Sequence, residues 1–141
     1  MTNEEVVFRL SRSINSSLMN HMNHLCSAYD LTGVQCLIMM ELRSDEVNIS
    51  ELAERTMMKM SNISSIVKRM ESHGLVQRKR SSQDERIVYV SLRQDALDKM
   101  QSMMEQELVD SLFHELDDEQ ITEILNALKL LDACIRRCEH E

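Results

Sequence analysis

Four stretches of the chain are predicted to be α-helices: in three of them apolar residues recur every three or four positions, and the fourth, residues 33–44, is apolar throughout 36–40. The four stretches are residues 4–29, 33–44, about 94–116 and about 118–138. Thr32 is positioned to cap the second helix, and Asp117 with Gln120 to form a capping box before the last. The pattern therefore predicts a mainly α-helical protein with long helices at both chain ends.

A different pattern occupies the middle of the chain and predicts two short helices joined by a turn. The first runs from Ser50, as its cap, to about Met57, and residues 58–61 form the turn. The second has Ser61 as its cap and ends at Gly74, since glycine adopts a positive φ without steric cost. A helix, a short turn and a second helix are typical of a helix-turn-helix.

The second short helix has two chemically distinct faces. Ile63, Ile66, Val67 and Met70 form an apolar stripe that we expect to be buried. The other face carries short polar groups and two cations, with no acid: Ser61, Asn62, Ser64, Ser65, Lys68, Arg69 and Ser72. Such a face suits a major groove, where base edges offer hydrogen bonds and phosphates flank the groove.

A β-hairpin is predicted directly after this helix. Residues 75–80 and 87–92 are rich in β-branched side chains, and residues 81–86 are turn formers and charges. Residues 47–49 are a candidate third strand. A hairpin in this position is a wing, and four of its cations are expected to contact phosphates or a narrow minor groove: Arg78, Lys79, Arg80 and Arg86.

The hairpin sequence GLVQRKRSSQDERIVYVSL resembles the wing of the MarR family of bacterial transcriptional regulators, including the pair Asp84 and Arg86. LTGVQCLIMMEL (31–42) and ELAERTMMKMSNISSIVKRMESHGLV (51–76) are also similar to the family, so the resemblance covers about residues 30–92. Two features depart from it. Glu85 stands where the family often has a basic residue, and residues 93–96 replace the usual Thr-x-x-Gly.

The resemblance implies a winged helix-turn-helix lobe at residues 31–92, which binds double-stranded DNA at a pseudo-palindromic operator. The amphipathic helices at 1–30 and 93–141 have no lobe of their own to cover their apolar stripes, so we expect them to form a homodimer. The expected function is a repressor released by a small-molecule effector or an oxidative signal. Asp84 is expected to pair with Arg86 and to orient the wing.

The distribution of charge along the chain supports DNA binding, although the net charge of the whole chain does not. The net charge of the chain is −8, which by itself disfavours nucleic acid. Residues 47–92, however, contain eight Lys or Arg and five Asp or Glu, a local charge of +3. A basic segment in an acidic protein attracts phosphate to one surface while the remainder repels it.

Cysteine and histidine spacing leaves two further hypotheses open. Cys26 and Cys36 flank the predicted corner at 30–33, and Cys134 and Cys138 share a helix face. We expect all four to be thiols, and the resemblance permits a role for them as oxidant sensors. His21, His24 and Cys26 have the spacing of a metal cluster, so a metal-responsive regulator is the alternative.

Other classes of protein have little support in the sequence. There is no Gly-rich phosphate loop, Gly-x-Ser-x-Gly or HExxH, so neither an enzyme nor a cofactor is expected. No apolar run is long enough for a membrane span, and the N-terminus is unlike a signal peptide, which predicts a cytoplasmic location. The competing class is a winged-helix interaction protein that recruits protein partners without binding DNA.

Overall fold

The computed structural model describes residues 1–105 and 112–140, which contain six α-helices and a three-stranded sheet. The elements in chain order are α1 Asn3–Ser27, α2 Gly33–Glu41, β1 Val47–Asn48, α3 Ile49–Thr56, α4 Met60–Ser72, β2 Val76–Arg80, β3 Val88–Leu92, α5 Gln94–Glu105 and α6 Asp118–Glu139. This architecture confirms the predicted fold class, a mainly helical chain with a β-hairpin wing in its middle.

Two of the predicted helix caps are present. The Thr32 hydroxyl accepts a hydrogen bond from the Gln35 backbone N–H at 3.1 Å, and Asp117 accepts one from the Gln120 N–H at 2.8 Å. In both helices the glutamine side chain returns a bond to the cap backbone, which completes a capping box. These caps fix where α2 and α6 begin.

Two other predicted caps are wrong. Asn48, at the end of β1, has an extended backbone and caps α3 by accepting from the Glu51 N–H at 2.8 Å. The helix therefore starts before Ser50. Likewise α4 starts at Met60 after Lys59, which makes no side-chain capping bond. Ser61 already has helical geometry, so it cannot act as the cap that precedes the first turn.

The three strands form an antiparallel sheet in the order β1-β3-β2. Val47 of β1 pairs with Val90 of β3, and Val76 of β2 pairs with Leu92 of β3. The short third strand predicted at 47–49 is thus present, although Ile49 belongs to α3. Because β3 is central, β2 is an edge strand of the wing.

One apolar core lies beneath the helix-turn-helix and the sheet. Its fully buried side chains come from α1 to α4, β2 and β3: Cys26, Ile38, Met39, Leu52, Ile63, Val67, Met70, Val76 and Val90. Ile63, Val67 and Met70 are the predicted stripe of α4, and Ile66 beside them is partly buried. Burial of this stripe leaves the polar face of α4 on the outside.

The connection between α1 and α2 depends on a close approach at Gly33. Its backbone N–H donates to the Asn23 side-chain oxygen at 2.6 Å. A Cβ at Gly33 would lie 2.9 Å from that oxygen and 3.2 Å from the Cβ of Met22. Glycine is therefore required here by space rather than by backbone conformation.

Gly33→Ala is expected to destabilise the protein by ~1–3 kcal/mol, because the extra methyl must push α1 away from the start of α2. Chemical denaturation of the variant and wild type measures this difference. In an Asn23→Ala background the nearest atom is gone, so the same substitution should cost less than in wild type. An equal cost in both backgrounds would show that Asn23 is not the obstacle.

The helix predicted at 94–116 is confirmed at its start but not at its end. α5 begins at Gln94 and is described to Glu105, while residues 106–111 of the predicted helix lie outside the described residues. Residues 113–116 form a bend and a turn rather than a helix. The chain must reach the extended conformation of Asp117, which caps α6, so a helix cannot continue up to it.

The chain divides into two compact units, Met1–Met103 and Met104–Glu141. The first contains α1 to α4, the sheet and most of α5, and the second contains α6. The predicted division into a central lobe and a terminal dimerisation region stays a prediction. Within the described ranges, no helix has both the length and the apolar character needed to span a membrane.

Candidate nucleic-acid interface

The exposed face of α4 carries hydrogen-bonding groups and cations. Ser61, Asn62, Ser65, Lys68, Arg69 and Ser72 are exposed, and Ser64 is partly buried. Within residues 1–105 and 112–140, the side chains of Lys68 and Arg69 have no hydrogen bond or ion pair. The predicted residues of this helix are therefore brought together on one accessible surface, with their charges uncompensated.

A strained turn orients that surface. Met57 ends α3 in the left-handed region, with φ 56°, and the Met58 N–H donates to the Ala53 carbonyl at 3.0 Å. This turn reverses the chain so that α4 packs on α3. Leu52 and Ala53 of α3 are buried, as is the apolar stripe of α4, so the polar face of α4 stays on the outside.

Hydrogen bonds within the wing hold its tip, residues 81–87, closed. The Ser81 N–H donates to the Ile87 carbonyl at 2.8 Å, and the Ile87 N–H donates to the Asp84 carbonyl at 3.0 Å. Arg80 donates from its guanidinium to the Glu85 carbonyl at 2.9 Å. The tip is thus a defined loop in which Arg80 has an internal partner.

Asp84 and Arg86 form the predicted ion pair in the wing. The guanidinium donates to both carboxylate oxygens at 3.1 Å, and the Arg86 backbone N–H donates to Asp84 at 3.0 Å. These bonds, the side-chain one first, hold the pKa of Asp84 below its ordinary value. The Arg86 side chain is nevertheless 90% exposed, so its outer surface is free to meet a ligand.

A second ion pair, between Glu71 and Arg78, joins α4 to β2. The guanidinium of Arg78 donates to one Glu71 oxygen at 3.0 and 3.1 Å, and the Arg78 backbone N–H donates to the other at 3.0 Å. Those bonds lower the pKa of Glu71. The carboxylate is therefore ionised at neutral pH, and the pair is lost only on acidification through that lowered pKa.

The sequence indicated a phosphate contact for Arg78 and did not single out Glu71. Glu71 and Arg78 are seven positions apart in the sequence, and the end of α4 lies between them. No periodic sequence pattern links positions across the end of a helix. Lys79 is the one cation among the four predicted in the wing that has no partner within the described ranges.

Comparison with known proteins places this interface in a family. The model of the family described as "Transcriptional regulator SarA/Rot" matches residues 20–103, which is more than half of the chain and includes the helix-turn-helix and the wing. The chain belongs to the SarA/Rot family of transcriptional regulators. The family consists of regulators rather than enzymes, and its DNA-binding fold agrees with the interface described above.

Individual relatives agree with the SarA/Rot assignment. The chain is 25% identical to the HTH-type transcriptional regulator SarZ of Staphylococcus haemolyticus over 104 residues, 72% of this chain and 69% of that protein. It is similar to the crystal structure of AbsC, a MarR family regulator from Streptomyces coelicolor, with a TM-score of 0.81, 26% identity and coverage of 96% and 97%. The fold is also that of a mutant MarR from E. coli complexed with operator DNA, with a TM-score of 0.78, 21% identity and coverage of 89% and 92%. The resemblance to the MarR family is confirmed.

The cysteines of this SarA/Rot family chain differ from expectation in one respect. Cys26 and Cys36 are joined as a disulfide, with their Cα atoms 6.9 Å apart, so the prediction of four thiols is wrong for this pair. The corner after α1 folds α2 back against α1 and brings both buried sulfurs together. Cys134 and Cys138 are free thiols on the exposed surface of α6.

The candidate metal cluster is not assembled by the described residues. No group of three or more His, Cys, Asp or Glu side chains in residues 1–105 and 112–140 is arranged to hold a metal ion. Cys26, the third member of the proposed cluster, is buried in the disulfide, whereas His24 is exposed.

Proposed function

We propose that this transcriptional regulator binds a pseudo-palindromic operator as a homodimer, with α4 in the major groove and the wing on the flanking phosphates. The observation that carries the proposal is the exposed face of α4, where unpaired cations and short polar groups lie on one surface with no acid among them. Base edges in the major groove are recognised by groups of this kind, and phosphates by the cations.

The residues of the interface divide into two roles. Ser61, Asn62, Ser64 and Ser65 occupy the first turns of α4, so we assign them to base edges. Lys68 and Arg69 lie further along the helix and are assigned to phosphate. The wing adds Lys79, Arg80 and Arg86, of which Arg80 and Arg86 are already held in place by bonds within the wing.

Exposed apolar stripes on the terminal helices support the homodimer. Large apolar side chains are exposed on α1 and, separately, on α6: Val6, Leu10, Ile14 and Leu18, and Ile124, Leu125, Leu128 and Ile135. Contiguous apolar surface of this kind is rare on a monomer and is removed from water when two copies pair. A two-fold dimer also presents two recognition helices to the two half-sites of a palindrome.

The signal that releases the DNA is proposed to be oxidative or a small-molecule effector, and the protein is proposed to act as a repressor. The disulfide between Cys26 and Cys36 supports the oxidative form, because it links α1 to α2. Its formation from two thiols and hydrogen peroxide, which is the oxidant, would release two waters. A ligand or a thiol reaction that changes the spacing of the two recognition helices would weaken operator binding. The metal-responsive alternative has no such support.

Mobility shift with operator-sized duplexes at two salt concentrations tests the proposal. Binding through several phosphate contacts should weaken on the order of 10³-fold or more between 50 and 200 mM salt, and unrelated duplexes should compete poorly at the higher salt. A protein that recruits only protein partners would shift no duplex under either condition.

Asp84→Ala is expected to weaken operator binding while barely moving the melting temperature, because an exposed ion pair contributes only ~0–1 kcal/mol to stability. The weakening arises because Arg86 and the wing tip lose the group that orients them before DNA arrives. If only the net charge of the wing mattered, Asp84→Ala would instead tighten binding, since it deletes an acid near phosphate. Fluorescence anisotropy at fixed salt decides, with Glu85→Ala as the control for loss of one negative charge; tighter binding by Asp84→Ala rules out the orienting role.

A further inference from the structure

The contact between Glu71 and Arg78 connects the two DNA-contacting elements to each other. Glu71 is in the last turn of α4, and Arg78 is the middle residue of β2. One Glu71 oxygen accepts two bonds from the guanidinium, and the other accepts the Arg78 backbone N–H. Both carboxylate oxygens are therefore occupied by one residue of the wing.

The backbone bond has a structural reason of its own. β2 is an edge strand, so every second N–H along it points away from β3 and has no strand partner. The N–H of Arg78 is one of these, and Glu71 accepts it. The position of β2 is thus tied to the end of α4 even before the Arg78 side chain is considered.

The contact with Glu71 directs the Arg78 side chain towards the end of α4. Successive residues of a strand point to opposite faces, so Arg78 shares a face with the buried Val76, and Lys79 points to the other face. The side chains of Arg78 and Glu71 are 32% and 33% exposed, compared with 90% for Arg86. Of these two arginines, Arg78 is the one engaged with the helix.

We propose that the Glu71–Arg78 contact is a strut that fixes the angle between α4 and the wing, and that Arg78 is a positioning residue rather than a phosphate contact. Both elements must fit one duplex at once, and a wing that moves relative to α4 loses that fit. The proposal rests on the docking of α4 and the wing proposed above. It reassigns Arg78 from the phosphate-binding set that the sequence suggested.

The rival assignment makes opposite predictions. If Arg78 contacts phosphate and Glu71 only neutralises it, removal of Glu71 frees a cation and deletes an acid, so binding tightens. Removal of Arg78 would then lower the salt dependence of binding by about one phosphate contact. If the contact is a strut, Glu71→Ala and Arg78→Ala should both bind DNA more weakly than wild type, and the salt dependence of binding should stay that of wild type.

The experiment measures the affinity of the full-length protein for a duplex selected from a random pool, as a function of salt concentration. Glu71→Ala, Arg78→Ala and the double variant are compared with Lys79→Ala, the adjacent cation on the opposite strand face, and with Arg69→Ala. Glu71→Ala removes all three bonds and should bind about tenfold more weakly, a change of ~1.4 kcal/mol. Arg78→Ala keeps the backbone bond and should lose less.

The double variant should bind no more weakly than Glu71→Ala, since the second substitution removes a partner that is already unpaired. Lys79→Ala should lower the slope of log affinity against log salt by about 1, while Arg78→Ala leaves it unchanged. Glu71→Gln keeps an oxygen that can accept the Arg78 backbone N–H, so its loss of affinity should be similar to that of Arg78→Ala. This variant replaces Glu71→Ala in the test if Glu71→Ala is poorly folded. Melting temperatures show that each variant is folded at the temperature of the binding measurement.

Tighter binding by Glu71→Ala, or a slope lowered equally by Arg78→Ala and Lys79→Ala, would overturn the strut and leave the docking intact. If Lys79→Ala and Arg69→Ala both leave the slope unchanged, the docking is wrong and the strut falls with it. These two failures are therefore distinguishable in one set of titrations.

Discussion

Replacing Leu128 and Leu131 together with glutamate is expected to give monomers that no longer bind operator DNA. Both side chains lie on the apolar stripe of α6, and Leu128 is 48% exposed in the single chain. Burial of a leucine side chain stabilises an interface by roughly 1.5–3 kcal/mol. Each position occurs twice in a two-fold dimer, once in each copy. The variant loses that contribution and must also bury charges if it pairs, so the expected effect is complete loss of the dimer.

Light scattering measures the oligomeric state, and mobility shift measures binding to the operator. Thr122→Glu with Asn126→Glu is the matched control, because it adds the same charge to the opposite side of α6. The control should remain dimeric and bind DNA. A Leu128→Glu, Leu131→Glu variant that stays dimeric would show that the interface lies elsewhere.

Substitutions on α4 are expected to separate affinity from sequence preference. Arg69→Ala should weaken binding to every duplex by a similar factor, because Arg69 is assigned to phosphate. Asn62→Ala and Ser65→Ala should instead alter the preference among sequences, by ~1–3 kcal/mol for each lost base contact. All three side chains are exposed on α4, so the substitutions should leave the melting temperature nearly unchanged.

The measurement is competition between the selected duplex and single-base variants of it. Asn126→Ala and Arg137→Ala on α6 are the matched controls for Asn62→Ala and Arg69→Ala, since they remove the same types of side chain from exposed positions of a helix to which no DNA contact is assigned. If all three α4 substitutions leave both affinity and preference unchanged, α4 does not enter the groove.

The parts of this fold that were predictable follow local rules. The stripe of Ile63, Val67 and Met70 has the period of a helix, and it is buried as that period requires. The hairpin was apparent from β-branched runs on either side of a polar turn. The pairing of Asp84 with Arg86 joins residues two apart in one loop, so a short sequence pattern contains both partners.

The features that escaped prediction depend on contacts between elements. Cys26 and Cys36 meet because α2 folds back on α1, whereas the sequence alone predicted free thiols. Glu71 meets Arg78 because β2 leaves the end of α4 at one particular angle. The caps predicted at Ser50 and Ser61 failed for a different reason. Asn48 at the end of β1 is an earlier cap for α3, and α4 begins after Lys59 without any side-chain cap.

Selection of duplexes from a random pool by the wild-type protein, followed by sequencing, tests the central claim most directly. The account predicts enrichment of an inverted repeat whose half-sites are separated by one helical turn, about 10 base pairs, since two recognition helices must enter successive major grooves. Selection by Asn62→Ala should change the bases within each half-site and keep their spacing. A pool that shows no enriched sequence after repeated rounds would contradict sequence-specific binding by a two-fold dimer through α4.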